Sequence, residues 1–445
     1  MKKYLLFIFI LPCSKLFAQV PEDAIHYSWL PHNGTARNMA IGGVMGSLGG
    51  DLTALFVNPA GLAFYKTKEL VLTPGIALNN IKVSFRGNDT KEKNTAFNLG
   101  PTGIIFGWGE RVKDGATQSS AVSIAINQTA NFQNTIHYKG LNNFSSFSEQ
   151  FAEEFAKSGM SIDDVLNNNS RYPYSSAPAL YTYLIDTVTI NGGIQVKGVP
   201  EYLLDAGQAL QQEMTRTSKG GLYELAFGAA HNDWDKWFYG LTLGVPIIFY
   251  ESNTTFTETD TSNISNGFRS FEYIDNYRTL GAGLNGRIGV IYRPREYIRL
   301  GLAIQTPNFM FLSDKRTVTL TSNLEKPNGM PESFTVTSAD FTVDQPSEKN
   351  YNQQTAWKAL LSASYVFREV ENVKKQRGFI SADVEFVNHK YSRFSTSEEN
   401  ASEGDKDYYS QLKKVIKKEY KGAFNFRVGG ELKFNTIMAR LGFAY

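Results

Sequence analysis

The chain has 445 residues and is almost charge-balanced, with 45 basic against 43 acidic side chains; nothing in that balance asks for nucleic acid or an anionic surface as partner. Mean hydropathy is −0.29, and past the first residues no apolar run approaches the ~18 residues of a membrane helix, so a helical membrane protein is excluded. Soluble domains remain open, and so does a β-barrel, whose strands alternate lipid-facing with lumen-facing residues and average to a polar sequence.

At the N-terminus, Lys2 and Lys3 precede an apolar run from Tyr4 to Pro12, and a weaker stretch ends in Leu16-Phe17-Ala18-Gln19. This layout predicts a secretory signal peptide over 1–18, cut after Ala18. As a membrane anchor the run is too short for ~30 Å of hydrocarbon. Cys13 after Leu11-Pro12 also admits a lipoprotein reading, which the proline suits poorly. Removal of the leader takes away Lys2, Lys3 and Lys15, turns a formal charge of +2 into −1, and takes the single cysteine with it. No disulfide framework or thiolate chemistry is then expected.

A Gly-rich stretch follows, Gly42-Gly43-Val44-Met45-Gly46-Ser47-Leu48-Gly49-Gly50-Asp51, and leads through Ala54-Leu55-Phe56 to Asn58-Pro59-Ala60-Gly61-Leu62. It is not a phosphate cradle, because no Gly-Lys-Ser/Thr ending and no preceding strand are present. Asn-Pro-Ala-Gly alone signals a helix start or turn.

From residue 69 onward a period of two dominates. Ile298, Leu300, Leu302 and Ile304 share one face, with Arg299, Gly301, Ala303 and Gln305 opposite. Leu284, Ile288, Val290 and Tyr292 oppose Asn285, Arg287 and Gly289; Phe424, Phe426, Val428 and Leu432 oppose Asn425, Arg427 and Glu431. Alternation predicts strands with one apolar and one polar face. A soluble sandwich would alternate too, but its strands usually run ~5–6 residues, and several of these are longer. Strands are expected near 69–86, 94–109, 119–138, 218–231, 237–257, 271–292, 297–320, 355–369, 378–395, 420–434 and 437–445, with Ser333 to Val343 as a twelfth candidate.

Short connections (Asp233 to Lys236, Pro294 to Glu296, Asn435-Thr436) alternate with long polar ones, 139–219, 321–354 and 396–418. That is the rhythm of periplasmic turns and outer loops. Within the longest, Phe144, Phe147, Phe151 and Phe155 recur at helical spacing. They are read either as an apolar lid over an opening or as a loop helix packed on its own rim. Leu412 to Lys418 reads as a second, basic helix with a solvated face.

Enzyme chemistry finds no support. The five histidines (His26, His32, His137, His231, His389) show no metal-ligand spacing, no Gly-x-Ser-x-Gly elbow is present, and acidic pairs such as Glu153-Glu154 sit in polar loops. No metal, cofactor or catalytic residue is expected.

The segment from Gly42 to Leu62, followed directly by a strand, resembles the N-terminal hatch of FadL-like outer-membrane transporters. Tyr292-Arg293-Pro294 leading into Leu300-Gly301-Leu302-Ala303-Ile304-Gln305-Thr306-Pro307 is similar to that family's mid-barrel turn and strand. The resemblance implies an all-β fold: a transmembrane antiparallel β-barrel of about fourteen strands, 68–445, with a hatch, 19–67, inside its lumen. It implies passive transport of long-chain fatty acids or aromatic hydrocarbons without ATP or TonB coupling, by loop capture, hatch movement and sideways exit. Asn58, Pro59 and Ala60 are the functional residues it carries over. Expected partners are a hydrophobic small molecule, outer-membrane lipid and the barrel-assembly machinery, with the chain a monomer in the outer membrane. Two alternatives stand beside it, a general diffusion porin and an adhesin or structural barrel. Eleven strands are odd for such a barrel, which leads to the expectation that its last strands are missing after Phe443-Ala444-Tyr445.

Overall fold

A computed structural model describes residues 21–27, 32–112, 116–167, 170–190, 193–262, 264–325, 331–342, 347–367, 377–399, 401–434 and 437–445. The expected leader lies outside them. The chain begins with three short helices, α1 (Asp23–His26), α2 (Ala36–Ala40) and α3 (Ala54–Val57), and a 3-10 turn over Pro59–Phe64. Strands β1 (Lys68–Val71), β2 (Pro74–Phe85), β3 (Asn88–Leu99), β4 (Thr102–Arg111), β5 (Thr117–Asn131) and β6 (Asn134–Asn142) follow. An insert then carries α4 (Glu149–Ser158), α5 (Ile162–Leu166), α6 (Ser176–Tyr181), a hairpin of β7 (Ile185–Ile190) and β8 (Gly193–Gly198), and α7 (Val199–Asp205). The remainder is β9 (Leu210–Asp233), β10 (Trp237–Asp260), β11 (Ser270–Arg295), β12 (Ile298–Gln305), β13 (Phe309–Asn323), β14 (Ser333–Thr337), β15 (Ser347–Gln354), β16 (Trp357–Phe367), β17 (Gly378–Asn388), β18 (Arg393–Thr396), α8 (Glu403–Glu419), β19 (Gly422–Phe434) and β20 (Ile437–Ala444).

One antiparallel sheet runs β1-β4-β5-β9-β10-β11-β12-β16-β17-β19-β20, extended at its outer end by β6, β13, β14, β15 and β18. The long strand β10 pairs with β9 without interruption from Trp237↔Asp233 to Asp260↔Leu210. The outward face of β10 carries Tyr239, Leu241, Leu243, Ile247 and Phe249, all exposed. Ten residue steps from Tyr239 to Phe249 give ~33 Å of strand, or ~24 Å of height at a ~45° tilt. That matches the apolar band of an outer-membrane barrel. Aromatic rings border it on both sides. Trp237 stacks on Tyr292 at 4.3 Å and Tyr297 meets Tyr365 at 5.4 Å below; Trp357, Phe386 and Phe424 form a row above, at 5.6 and 5.0 Å. No described helix is long and apolar enough to cross a membrane. The fold is a transmembrane antiparallel β-barrel sheet curled around an N-terminal hatch.

The hatch sits where the inward face is bare. A Cβ at Gly240 on β10 would strike the backbone of Pro59 and Ala60, and one at Gly289 on β11 would strike Asn58. On β12, β19 and β20 the same holds for Gly301 against Gly46, Gly429 against Ile41 and Gly442 against Gly42. Glycine inside a strand marks close backbone approach, and here the approaching backbone is the hatch. Its irregular segment has polar groups that need partners. Asp383 accepts from the amides of Met45 and Gly46 at 2.9 and 3.1 Å, Ser47 Oγ meets Ser362 Oγ at 2.7 Å, and Arg299 donates to the Leu48 carbonyl at 2.7 Å.

Expected strands break at prolines, and two break without one: 119–138 at Phe132-Gln133 and 378–395 at His389–Tyr391. The strand expected over 69–86 breaks at Leu72-Thr73, opposite the Gly100-Pro101 break between β3 and β4. Pro101 has no N–H for a ladder; Thr73 fills the corner by donating from Oγ1 to the Pro101 carbonyl at 2.7 Å and accepting from the Gly100 amide at 2.8 Å. Pro307 likewise separates β12 from β13. Ser333 to Thr337 forms a hairpin strand on β13 at the outer end, not a twelfth wall strand. The basic helix begins at Glu403, well before Leu412; Tyr409, Leu412 and Ile416 form its buried face.

Candidate functional site

Asn58 caps the 3-10 turn, its Oδ1 accepting from the Ala60 amide at 3.2 Å, while Pro59 takes the first-turn position that lacks a donor partner anyway. The other end of the same carboxamide donates to the Gly46 carbonyl at 2.6 Å. Asn58 therefore ties the turn to the Gly-rich lead, and all three residues of the motif are buried against β10–β12. None of the three lines the two chambers above the hatch; Phe56 and Val57 just before them line the inner one.

Above the hatch lies an inner chamber of about 370 Å³. Its charges come from the polar faces of the strands. Arg287 on β11 forks Glu224 on β9, at 2.6 and 2.8 Å. Arg427 on β19 and Asn425 donate to Glu385 on β17 at 3.0 and 2.8 Å. Lys358 on β16 lines the same chamber, and its side chain makes no hydrogen bond or ion pair among the described residues. Three basic side chains thus line the chamber with two carboxylates. Lys358 shares the charge of Glu385 with Arg427 without hydrogen-bonding to it.

An outer chamber of about 600 Å³ lies under the insert. Phe147 stacks on Phe256 at 4.3 Å, and Phe151 packs beside Tyr273 at 5.6 Å. Arg316 forks Asp275 at 3.0 and 2.9 Å, with its guanidinium 4.8 Å from the Tyr174 ring. Arg216 reaches only hydroxyls, Ser252 at 3.0 Å and Tyr250 at 3.1 Å. The chamber is aromatic on one side and charged on the other, where Arg171, Arg216 and Arg316 are balanced by Asp23, Glu154 and Asp275. Glu258, beyond the outer ring row, anchors the insert: it accepts from Ser146 Oγ at 2.5 Å, the Phe147 amide at 3.1 Å and Gln212 at 2.7 Å. Burial pushes its carboxyl above the usual range.

Between the chambers runs the segment 21–27. Asp23 faces the outer one, Ile25 and Tyr27 the inner. Tyr27 donates to Thr279 Oγ1 at 3.3 Å, and Gln353 holds the Asp23 carbonyl at 3.2 Å. The segment is a septum.

The phenylalanines read as one face of a helix, whether lid or rim packing, are divided, because the helix begins only at Glu149. Phe147 and Phe151 roof the outer chamber, Phe155 lies inside the insert's own core with Ala177 and Leu184, and Phe144 is exposed at the tip near Arg86. Of the acidic pair noted there, Glu153 bonds Lys157 at 2.8 Å and Glu154 takes the hydroxyls of Ser175 and Ser176. Lys358, Glu224 and Glu385 were missed by sequence reasoning. Their signal was present, a charge at an inward position of an otherwise apolar strand.

The fold is a β-barrel sheet whose lumen holds a hatch and two chambers. No family model matches the chain, and no curated protein matches it. Among solved structures it is similar to the toluene transporter TbuX of Ralstonia pickettii, with 14% identity, 93% of this chain and 86% of that chain covered, and a TM-score of 0.44. It is similar also to the toluene transporter TodX of Pseudomonas putida (12%, 94% and 84%, 0.43) and to a FadL homologue of Pseudomonas aeruginosa (11%, 93% and 80%, 0.43).

Proposed function

We propose that this chain passes small hydrophobic compounds passively across the outer membrane and favours those with an anionic head. The observation that carries the reading is the order of the two chambers, aromatic above and net cationic below. A tail entering the outer chamber gains ~0.8 kcal/mol per CH₂ taken from water. A carboxylate taken inward loses hydration, a large cost unless a cation meets it, and Lys358, whose side chain has no hydrogen-bonded carboxylate among the described residues, is the cation placed to do so. The septum at 21–27 must yield before the solute reaches that lysine. Asn58-Pro59-Ala60 acts as the fixed foot of the hatch, the moving part being the chain N-terminal to it. The solute leaves sideways, where β3 parts from β5.

The test is uptake of labelled decanoate and toluene by cells lacking their own channel. The chain should restore both, and Lys358→Met should lower decanoate uptake about tenfold, the worth of ~1.4 kcal/mol, while sparing toluene. Failure to restore either, or a steady ion conductance in planar bilayers, would count for an adhesin or a porin instead.

A further inference from the structure

β4 pairs with β5 only as far as Thr102↔Ile126. Beyond that level β5 and β6 pair with β9, β3 pairs with β2, and no strand pairing joins β3 to β5 or β6 among the described residues. Register fixes the depth of this seam. Ile126 stands opposite Leu225 and that opposite Val245; Asn131 stands opposite Gly221 and that opposite Phe249. The unpaired stretch therefore crosses the outer half of the apolar band.

An open strand edge at that depth would leave backbone groups without partners in hydrocarbon, which barrels do not tolerate. Here carboxamide side chains take the place of the missing strand. On the β3 edge the Leu99 amide donates to Gln128 Oε1 at 2.9 Å, the Leu99 carbonyl accepts from Asn33 at 3.1 Å, and the Phe97 carbonyl accepts from Asn131 at 2.8 Å. Gln133 reaches the Thr95 carbonyl at 3.5 Å.

Asn33 differs from the rest because it belongs to the hatch and touches both walls. Its Nδ2 donates to the Leu99 carbonyl on β3 and, at 2.7 Å, to the Gln128 carbonyl on β5. Its own carbonyl accepts from Asn127 at 3.2 Å, and its carboxamide faces that of Asn98 at 3.4 Å in both directions. We propose that Asn33 is the latch of the seam, a positioning residue that keeps β3 against β5 until the hatch segment carrying it moves. This rests on the sideways exit given above. Tyr27 and Asn33 are six residues apart in the sequence, which puts the septum and the latch on the same N-terminal stretch.

Two measurements decide it. Asn33→Asp keeps size but removes both donors and sets a carboxylate against two carbonyls. Hydrogen exchange of the folded protein should quicken at Leu99 by roughly three- to tenfold, the worth of about one hydrogen bond. Exchange at Met45 and Gly46, held by Asp383, should stay unchanged, which separates an opened seam from a loosened hatch. In the second, Asn33→Cys with Asn98→Cys is bridged by dibromobimane; the only native cysteine is Cys13, in the expected leader. The unbridged pair should take up decanoate faster than the native chain, and the bridged pair should fall to background. Unchanged exchange at Leu99, or equal uptake with and without the bridge, overturns the latch. Where the native chain moves no decanoate at all, the transport reading falls, and the exchange measurement alone decides whether Asn33 holds the seam.

Discussion

Arg287 clasps Glu224 with both arms of its guanidinium across the inward faces of β11 and β9, and each side chain is only 5% exposed. Removing one member of such a pair strands a buried charge, at ~3–5 kcal/mol, whereas replacing both with neutral residues is often close to neutral. Arg287→Met should therefore lower the temperature at which the folded barrel loses its heat-modifiable gel mobility. Arg287→Met combined with Glu224→Gln should recover most of that loss. Equal midpoints for the single and double variants would mean that the pair contributes nothing to the wall.

Gly240 and Gly286 are both strand glycines with different surroundings. A Cβ at Gly240 would meet hatch backbone, which cannot swing aside, while one at Gly286 finds its nearest neighbour at 3.8 Å. Gly240→Ala is expected to cost ~1–3 kcal/mol as an overpacked contact and to expose the hatch to protease. Gly286→Ala should do neither. Limited proteolysis scored on the hatch, with a thermal midpoint beside it, checks both halves of the comparison.

The barrel was legible because alternation is local: Leu284, Ile288 and Val290 announce their face without reference to any other strand. The hatch was legible through a resemblance carried by Gly42 to Leu62, and its structural role follows from glycines on β10, β11, β12, β19 and β20 that no single strand explains. The chambers were not legible. Lys358, Glu224 and Glu385 stand far apart in the chain and meet only after the sheet has curled, so each alone reads as one more polar position. The seam was hidden for a related reason. Gly100-Pro101 breaks the strand expected over 94–109, and that β5 instead continues along β9 is a property of the pairing between those two strands.

Glu258 should make docking of the insert depend on pH. Its carboxyl is raised in the folded state by burial, so the protonated form binds its surroundings better than the ionised one. Docking is then weakest at neutral and higher pH, strengthens as pH falls through the raised value, and levels off below the ordinary ~4.3 of a free glutamate. Protease cleavage within 143–209 should slow on acidification over that window. Glu258→Gln should remove most of the dependence; an unaltered profile in that variant would assign the effect to another group.

Phe144, Phe147 and Phe155 separate capture from packing. Phe147 stacks on Phe256 over the outer chamber, Phe155 is enclosed in the insert, and Phe144 is exposed. Phe155→Ala is expected to destabilise the insert by ~3–5 kcal/mol, the usual cost of truncating a buried ring, and to reduce uptake only through misfolding, visible as faster proteolysis. Phe144→Ala should change neither. Phe147→Ala removes apolar surface where a tail would first settle, so the concentration for half-maximal uptake should rise several-fold for decanoate and toluene alike. The insert should remain protease-resistant. Uptake that saturates at the native concentration in Phe147→Ala would move the capture site out of this chamber, and the stacked pair with Phe256 would then be packing alone.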